Sequence, residues 1–229
     1  MVIHGLQKMT LLDYPGRVAC TVFLGGCDLR CPFCHNAELL DGSVPGVMDE
    51  GALLQFLVGR KGLLDGVAFT GGEPLLRPDL APLFRRIREM GFAVKLDTNG
   101  THPDRLAGLL GEGLVDYVAM DIKNSPERYA ETAGVPDIDL GPIRESVRIL
   151  MEGKTEYEFR TTVVSELHDG ESIRAIGKWI HGARRYFLQP FTDRDTVPFA
   201  GFHAPDGETL RAWVEMLRED IPSAALRGV

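Results

Sequence analysis

Short apolar runs of strand length alternate with amphipathic stretches along most of this chain, and this alternation constrains the fold more than any other feature. The runs are continuous and rich in β-branched or aromatic residues, which is typical of strands buried on both faces. Six runs are predicted to be strands: Val18–Leu24, Gly66–Thr70, Phe92–Leu96, Tyr117–Met120, Tyr157–Val164 and Tyr186–Gln189.

The stretches between these runs have apolar residues at helical spacing. Pro78–Met90, Ser172–Ile180 and Glu208–Leu217 each place their apolar side chains on one face and their charges elsewhere. Repeated strand–helix units imply a parallel sheet with right-handed crossovers. The sequence therefore predicts an α/β fold, a partial (β/α)6 barrel with parallel strands and outer helices.

Polar or glycine-rich clusters follow four of the predicted strands. Any one cluster is explained by a glycine-rich turn, a helix cap, an Asn-Gly turn or a surface ion pair. Parallel α/β folds place their chemistry at the carboxyl ends of strands, so four clusters in phase predict one composite site. The clusters are Gly25-Gly26-Cys27, Thr70-Gly71-Gly72-Glu73-Pro74, Asp97-Thr98-Asn99-Gly100 and Asp121-Ile122-Lys123.

Three closely spaced cysteines, Cys27, Cys31 and Cys34, follow the first strand. Three thiolates at this spacing can converge on one metal site, and a [4Fe–4S] cluster held by three protein ligands keeps one iron open for a substrate or cofactor. The alternatives are a zinc site or buried free thiols. Zinc sites usually need two separated pairs of ligands, and the chain has no second pair. The cluster is therefore the favoured interpretation.

Composition and charge indicate the cellular compartment of the protein and the kinds of partner that it can have. Cys20, outside the motif, is expected to pack as a small apolar residue, so no disulfide framework is predicted. The net charge of −8 and the lack of a Lys/Arg block disfavour a nucleic-acid partner. The first residues do not have the layout of a signal peptide, and no apolar run is long enough to cross a bilayer. We expect a cytoplasmic protein without a membrane partner.

The cysteine spacing matches the CxxxCxxC signature of the radical S-adenosylmethionine (SAM) enzymes, and Thr70–Pro74 resembles their GGEP motif. This resemblance implies that Cys27, Cys31 and Cys34 hold a [4Fe–4S] cluster and that SAM is the second cofactor. It also implies that Gly71, Gly72 and Glu73 contact the methionyl part of SAM. Phe33 resembles the aromatic residue beside adenine in that family, although a core phenylalanine is the alternative.

Three runs resemble more specifically the activases of glycyl radical enzymes: Cys34-His35-Asn36, Asp97-Thr98-Asn99-Gly100 and Asp121-Ile122-Lys123. In those activases the matching Asp, Thr and second Asp hold a monovalent cation beside the SAM carboxylate. The resemblance thus implies that the cation ligands are Asp97, Thr98 and Asp121, and it adds Asn99 as a further cofactor-binding residue. Two carboxylates and a hydroxyl are also plausible ligands for a hard cation on chemical grounds.

The same resemblance assigns residues around SAM and the substrate peptide. Lys123 would be the base at the SAM end of the site, and Arg160 would contact SAM, with a structural salt bridge as the alternative. Asp13, in a segment like the activases' Asp-x-Pro-Gly-x, would meet the substrate peptide. The pyruvate formate-lyase activase has a ribose-binding histidine near Thr192, where Gln189 or Thr192 would have to substitute.

The resemblance extends over nearly the whole chain and is strongest to the activating proteins of anaerobic ribonucleoside-triphosphate reductase. We therefore expect residues 1–229 to form a single radical SAM domain without the inserted ferredoxin-like domain of longer activases. The implied activity is reductive cleavage of SAM to a 5′-deoxyadenosyl radical that abstracts hydrogen from a backbone glycine. The implied partners are a glycyl radical enzyme and a flavodoxin-type or other low-potential electron donor.

Two other functions remain open at the level of sequence. A radical SAM enzyme that acts on a small molecule, such as a deazapurine precursor, would share the cysteine motif and the Gly-Gly-Glu-Pro loop. A non-catalytic iron–sulfur or metal-binding module would need four protein ligands and no SAM-shaped set of loops. No acid–base dyad or Ser/His/Asp arrangement is recognisable, so we expect the cofactors to carry the chemistry.

Overall fold

The computed structural model describes residues 1–228. The contacts divide the chain into two units, each described below by itself. The first contains Met1–Asp28, Glu38–Val118 and Lys154–Glu156; the second contains Leu29–Ala37, Ala119–Gly153 and Tyr157 to the end of the described residues. The chain is α/β with a mostly parallel central sheet, as the sequence predicts.

The elements are numbered in chain order within the described residues. The strands β1 to β10 are Val2–Ile3, Gly5–Thr10, Ala19–Leu24, Met48–Asp49, Gly66–Gly71, Ala93–Thr98, Tyr117–Asp121, Glu156–Val163, Tyr186–Pro190 and Ala225–Leu226. The α-helices α1 to α7 are Glu50–Val58, Leu80–Glu89, Pro103–Gly111, Tyr129–Ala133, Gly141–Glu152, Gly170–Trp179 and Gly207–Leu217.

In the first unit, a run of hydrogen-bonded strands follows the order β2-β3-β5-β6. The β2–β3 pair is antiparallel, whereas β3–β5 and β5–β6 are parallel, with Val22 opposite Phe69 in the first of these. β1 and β4 form a separate antiparallel pair. The carboxyl ends of β3, β5 and β6 therefore lie at one edge, where the sequence predicts a site.

In the second unit, β8, β9 and β10 are joined in parallel. Arg160 of β8 is opposite Phe187 of β9, which is in turn opposite Ala225 of β10. The strand β7 carries the chain from the first unit into the second. Its last residue, Asp121, and the Lys123 that follows both belong to the second unit.

The six strands expected from the apolar runs are confirmed, with ends that differ by one or two residues. The three expected helices are confirmed as α2, α6 and α7, with starts shifted by up to two residues. Elements that the pattern did not predict are β1, β2, β4, β10, α1, α3, α4 and α5.

Close packing fixes the helices on the strands. In the first unit, Phe69 of β5 and Phe84 of α2 are both fully buried, with ring centroids 4.6 Å apart. In the second unit, Gly177 lets α6 approach α7, because a Cβ at this position would lie 2.8 Å from Leu217 Cδ2. Asp169 caps α6 by accepting from Ser172 N, which satisfies a helix N-terminal donor.

The helices of the described chain are short. The longest, α5, has 12 residues, whereas an α-helix needs about 20 apolar residues to cross a bilayer. No helix within residues 1–228 is long and apolar enough to span a membrane.

Candidate active site

The loop after β3 carries Cys27, and backbone hydrogen bonds fix it from two sides. Gly26 N donates to Leu39 O at 2.7 Å, and Cys27 N donates to Leu40 O at 3.0 Å. Gly26 has a φ of 94°, which a residue with a Cβ rarely adopts. These backbone hydrogen bonds therefore hold Cys27 at the carboxyl edge of the first unit.

The glycine pair Gly71-Gly72 brings the end of β5 against this loop. Gly71 has a φ of 116°, and a Cβ there would lie 2.4 Å from Leu24 O. A Cβ on Gly72 would lie 2.0 Å from Gly26 O. Gly72 N donates to Leu24 O at 2.8 Å. The structure shows that the glycines admit the neighbouring backbone. Their predicted contact with the methionyl part of SAM stays a prediction.

Glu73 is fully buried and has three hydrogen-bond partners within the first unit. Its Oε1 accepts from Leu75 N at 3.0 Å and from Thr98 Oγ1 at 2.9 Å, and its Oε2 accepts from Asn99 N at 2.7 Å. Burial raises the pKa of Glu73 to about 7, against the effect of these donors. The predicted contact with the SAM ammonium stays a prediction; the observed role is to join the ends of β5 and β6.

A polar network connects Asn99 with the cysteine loop. Asn99 Nδ2 donates to Asp28 Oδ1 at 2.8 Å and lies 3.9 Å from Cys27 Sγ. Asn99 Oδ1 accepts from Thr101 N, which fixes the orientation of the amide. His102 Nε2 lies 3.3 Å from Asp28 Oδ2. The sequence does not single out Asp28 or His102, because neither belongs to a recognisable motif.

The predicted cation ligands have side-chain partners of their own. Asp97 forms an ion pair with Lys95, which is almost fully buried within β6. Thr98 donates its hydroxyl to Glu73. Asp121, in the second unit, pairs with two cationic side chains. A metal cation at Asp97 or Asp121 would therefore compete with a side-chain cation already present.

In the second unit, Asp121 lies between Arg160 and Lys123. Arg160 Nε donates to Asp121 Oδ1 at 2.9 Å, and Lys123 Nζ donates to Asp121 Oδ2 at 3.0 Å. Burial alone would raise the pKa of Asp121, but the two cations outweigh it and hold this pKa at about 2. Burial lowers the pKa of Lys123, but Asp121 and Cys31 outweigh it and raise this pKa. The predicted role of Lys123 as the base at the SAM end of the site stays a prediction.

Cys31 and Cys34 form a tight turn in the second unit, in which Cys34 N donates to Cys31 O at 3.2 Å. Burial raises the pKa of the Cys31 thiol to about 11, although Lys123 acts in the opposite direction. Burial also raises the pKa of Cys34. Neither thiol is in a disulfide. Both are therefore neutral thiols that lose a proton when they ligate a metal.

Aromatic side chains enclose the same turn. Phe33 packs edge-on against Phe191 and Phe202, with ring centroids 6.4 Å and 6.5 Å away. His35 stacks on Phe191 at 5.4 Å, and its Nε2 lies 2.6 Å from Thr192 O. The contact of Thr192 is thus made by its carbonyl group; a role of Gln189 or Thr192 at a ribose is not tested by it.

Asp13 lies near the amino end of β3, whereas Cys27 follows the carboxyl end. The Asp13 carboxylate accepts from Thr21 Oγ1 at 2.5 Å, near the middle of this strand. Thr21 is almost fully buried. The structure gives Asp13 an intramolecular partner, and its predicted contact with a substrate peptide stays a prediction.

The chemistry of the donors fits a thiolate-bound cluster. Within residues 1–228 none of the three motif cysteines is in a disulfide, a side-chain N–H lies beside Cys27, and the cation of Lys123 acts on Cys31. Within residues 1–228, no group of three or more His, Cys, Asp or Glu side chains is arranged so that it could hold a metal ion. Convergence of Cys27, in the first unit, with Cys31 and Cys34 therefore remains a prediction from their spacing.

Comparison with known proteins places the chain in a class. Residues 21–180 match the Radical SAM superfamily, and the chain belongs to this superfamily. Membership implies a [4Fe–4S] cluster and SAM as cofactors. A radical SAM methyltransferase from Sphaerobacter thermophilus has a similar fold, with a TM-score of 0.74 and 19% identity, over 96% of this chain and 68% of that one.

Three relatives indicate the kinds of protein to which the chain is similar. “Putative glycyl-radical enzyme activating enzyme MJ1227” of Methanocaldococcus jannaschii is 29% identical over 100% of this chain and 96% of its own. The pyruvate formate-lyase-activating enzyme of Clostridium pasteurianum is 34% identical over 53% of this chain and 52% of its own. The 7-carboxy-7-deazaguanine synthase of Methanopyrus kandleri is 35% identical over 78% of this chain and 75% of its own.

Proposed function

We propose that this radical SAM enzyme activates a glycyl radical enzyme. The observation that supports this most is the similarity along the whole chain to a relative named as an activating enzyme of that kind. The second relative, a pyruvate formate-lyase-activating enzyme, supports it over about half of the chain. We further propose that residues 1–229 act as one catalytic domain and that Cys27, Cys31 and Cys34 ligate the cluster.

When bound, the cluster and SAM would supply one-electron radical chemistry, namely reductive cleavage of SAM for the removal of a hydrogen atom from a glycine Cα of the partner. The chain itself would bind and orient these cofactors. Gly71 and Gly72 have no side chains, which lets the end of β5 lie against the cysteine loop. Glu73 fixes the neighbouring loop after β6. Lys123 and Arg160 present two cations, which suit the carboxylate of SAM.

Further assignments belong to the same proposal. Asn99 would tune the cluster through its N–H beside Cys27, because hydrogen bonds to sulfur set cluster potentials. Phe33, enclosed by two phenylalanines, would border the adenine. Asp97, Thr98 and Asp121 would take a monovalent cation only in exchange for their present partners. Asp13 would contact the substrate peptide.

The partner proposed is anaerobic ribonucleoside-triphosphate reductase, and the electron donor a flavodoxin-type or other low-potential protein. The test reconstitutes the protein anaerobically with iron and sulfide, adds SAM and dithionite, and quantifies 5′-deoxyadenosine with a peptide from the reductase's glycyl loop. The matched control peptide has alanine in place of the glycine. We expect faster cleavage and a glycyl signal in electron paramagnetic resonance with the glycine peptide alone.

A second candidate function is favoured by one observation. A 7-carboxy-7-deazaguanine synthase is 35% identical to this chain over 202 residues, so a deazapurine precursor is the alternative substrate class. Equal cleavage of SAM with both peptides, together with turnover of a deazapurine precursor, would replace the activase by this function. Superfamily membership argues against the non-catalytic metal-binding module.

A further inference from the structure

Tyr129, the first residue of α4, has a buried hydroxyl group without a hydrogen-bond partner of ordinary geometry within residues 1–228. The side chain is fully buried, and its ring packs edge-on against Trp179 with centroids 6.0 Å apart. Tyr186 is equally buried, but its hydroxyl lies 2.7 Å from Thr161 Oγ1. A buried hydroxyl without a partner costs free energy, so an unpaired one calls for a specific explanation.

The helix α4 lies directly against the cysteine loop. Arg30 N, adjacent to Cys31 in the chain, donates to Ala133 O at 2.8 Å. Gly134 ends the helix with a φ of 65°, and a Cβ there would lie 2.0 Å from Arg30 O. Tyr129 is thus carried by the element that supports the residue before Cys31.

The charges that act on Tyr129 are those of the candidate site. Burial raises the pKa of Tyr129, and Cys31 and Asp121 also raise it. Lys123 lowers it through its charge and through a contact of its backbone N–H with the phenol oxygen, which lies outside ordinary hydrogen-bond geometry. The net pKa is raised, which keeps the phenol neutral and able to donate. Of these neighbours, Lys123 and Asp121 already bind each other, whereas the hydroxyl of Tyr129 has no acceptor.

We propose that Tyr129 is a positioning residue whose hydroxyl donates a hydrogen bond to an anionic acceptor that arrives with the cofactors. The acceptor is either a sulfur of the cluster or the carboxylate of SAM. This inference rests on the proposed function, because it needs both cofactors to bind beside Cys31 and Lys123.

The proposal predicts opposite effects of Tyr129→Phe in two states of the protein. Without cofactors, the variant removes a buried hydroxyl that has no acceptor, so its Tm should equal or exceed that of the wild type. With cofactors, it removes a hydrogen bond. A donor to sulfur stabilises the more negative, reduced cluster, so its loss lowers the midpoint potential.

The test measures Tm of the cluster-free chain, the midpoint potential of the reconstituted cluster without SAM, and the Kd of SAM. Tyr186→Phe is the matched control, since it removes a hydroxyl that has a partner; its Tm should fall and its potential and Kd should stay at wild-type values. For Tyr129→Phe, a lower potential identifies a cluster sulfur as the acceptor. An unchanged potential with an SAM Kd at least about threefold higher identifies the carboxylate.

Two results would overturn the inference. The first is a cluster-free Tyr129→Phe variant whose Tm falls as much as that of Tyr186→Phe, or which does not fold. Such a result would show that the hydroxyl of Tyr129 has a partner within the protein itself. The second is a Tyr129→Phe variant with unchanged Tm, midpoint potential and Kd of SAM. Such a result would show that the hydroxyl donates no hydrogen bond to either cofactor. If the wild type cleaves SAM in these experiments, only the inference fails. If the wild type binds no cluster or leaves SAM intact, the proposed function fails and the inference falls with it.

Discussion

The backbone N–H of Asn99 donates a 2.7 Å hydrogen bond to the buried carboxylate of Glu73. This bond joins the end of β6 to the loop after β5. Asn99 in turn places its side-chain N–H beside Cys27. Glu73, the carboxylate of the Gly-Gly-Glu-Pro run, is therefore linked to the cysteine loop through Asn99. Its ionisation should consequently change the stability of the folded chain.

Glu73 should make stability depend on pH between about 4.5 and 7. Its pKa is raised from an ordinary 4.5 to about 7 in the folded chain. The folded state therefore binds the proton more tightly, and the stability this contributes is present below pH 4.5 and lost as the pH rises through 7. The upper limit of this loss is about 3 kcal/mol.

Glu73→Gln removes the titrating group and isolates its effect. Urea unfolding of the cluster-free chain from pH 4 to 8 should show wild-type stability falling relative to that of the variant. The matched control, Glu219→Gln, changes an exposed glutamate and should follow the wild-type curve. Parallel curves for the wild type and Glu73→Gln would contradict the raised pKa.

Gly72→Ala should disrupt the cysteine loop. The new Cβ would lie 2.0 Å from Gly26 O, a backbone atom that cannot turn away. We expect a loss of at least about 2 kcal/mol in the free energy of unfolding of the cluster-free chain, and loss of bound iron after reconstitution. Denaturant unfolding and iron analysis measure the two effects.

Gly108→Ala is the matched control for this substitution. Gly108 lies within α3, and a Cβ there has no atom within 4 Å. Alanine favours a helix over glycine by about 0.8–1.0 kcal/mol, so this variant should gain stability and keep its iron. Equal behaviour of the two alanine variants would show that the close approach at Gly72 does not exist in solution.

Asp121→Asn should leave Arg160 and Lys123 without their shared carboxylate. Two cations would then face each other, and we expect a loss of about 1–2 kcal/mol in stability, moderated by partial exposure of the site to solvent. Chemical denaturation at pH 7 measures it. Glu145→Gln, in the exposed pair with Arg148, should cause no measurable loss; a similar result for Asp121→Asn would mean that the buried pairing is absent.

Much of the fold is readable from the sequence because the parallel strands are buried on both faces. β5 and β9 were recognised as continuous apolar runs. β2 was missed because Gly5–Thr10 is a half-exposed edge strand that contains Gln7 and Lys8. The helix α5 lies between two predicted strands, β7 and β8, but was itself not predicted, although Ile143, Val147 and Leu150 form its buried face.

The candidate site was predictable only where a motif marks it. Gly71 and Gly72 stand out in sequence because they belong to the run Thr70–Pro74, which resembles the GGEP motif. Asp28 and His102 carry no such signal, and their relation to Asn99 appears only once β3 and β6 have been brought to one edge. Tyr129 resembles a core aromatic in sequence, and its unpaired hydroxyl is visible only in three dimensions.

The most direct test of the central claim replaces each motif cysteine in turn. Cys27→Ala, Cys31→Ala and Cys34→Ala are reconstituted anaerobically beside the wild type and Cys20→Ala, whose thiol is buried within β3. Iron content and 5′-deoxyadenosine formed from SAM under dithionite are then quantified. We expect both in the wild type and in Cys20→Ala, and no 5′-deoxyadenosine from the other three. Cleavage of SAM by any of those three variants at the wild-type rate would contradict the account.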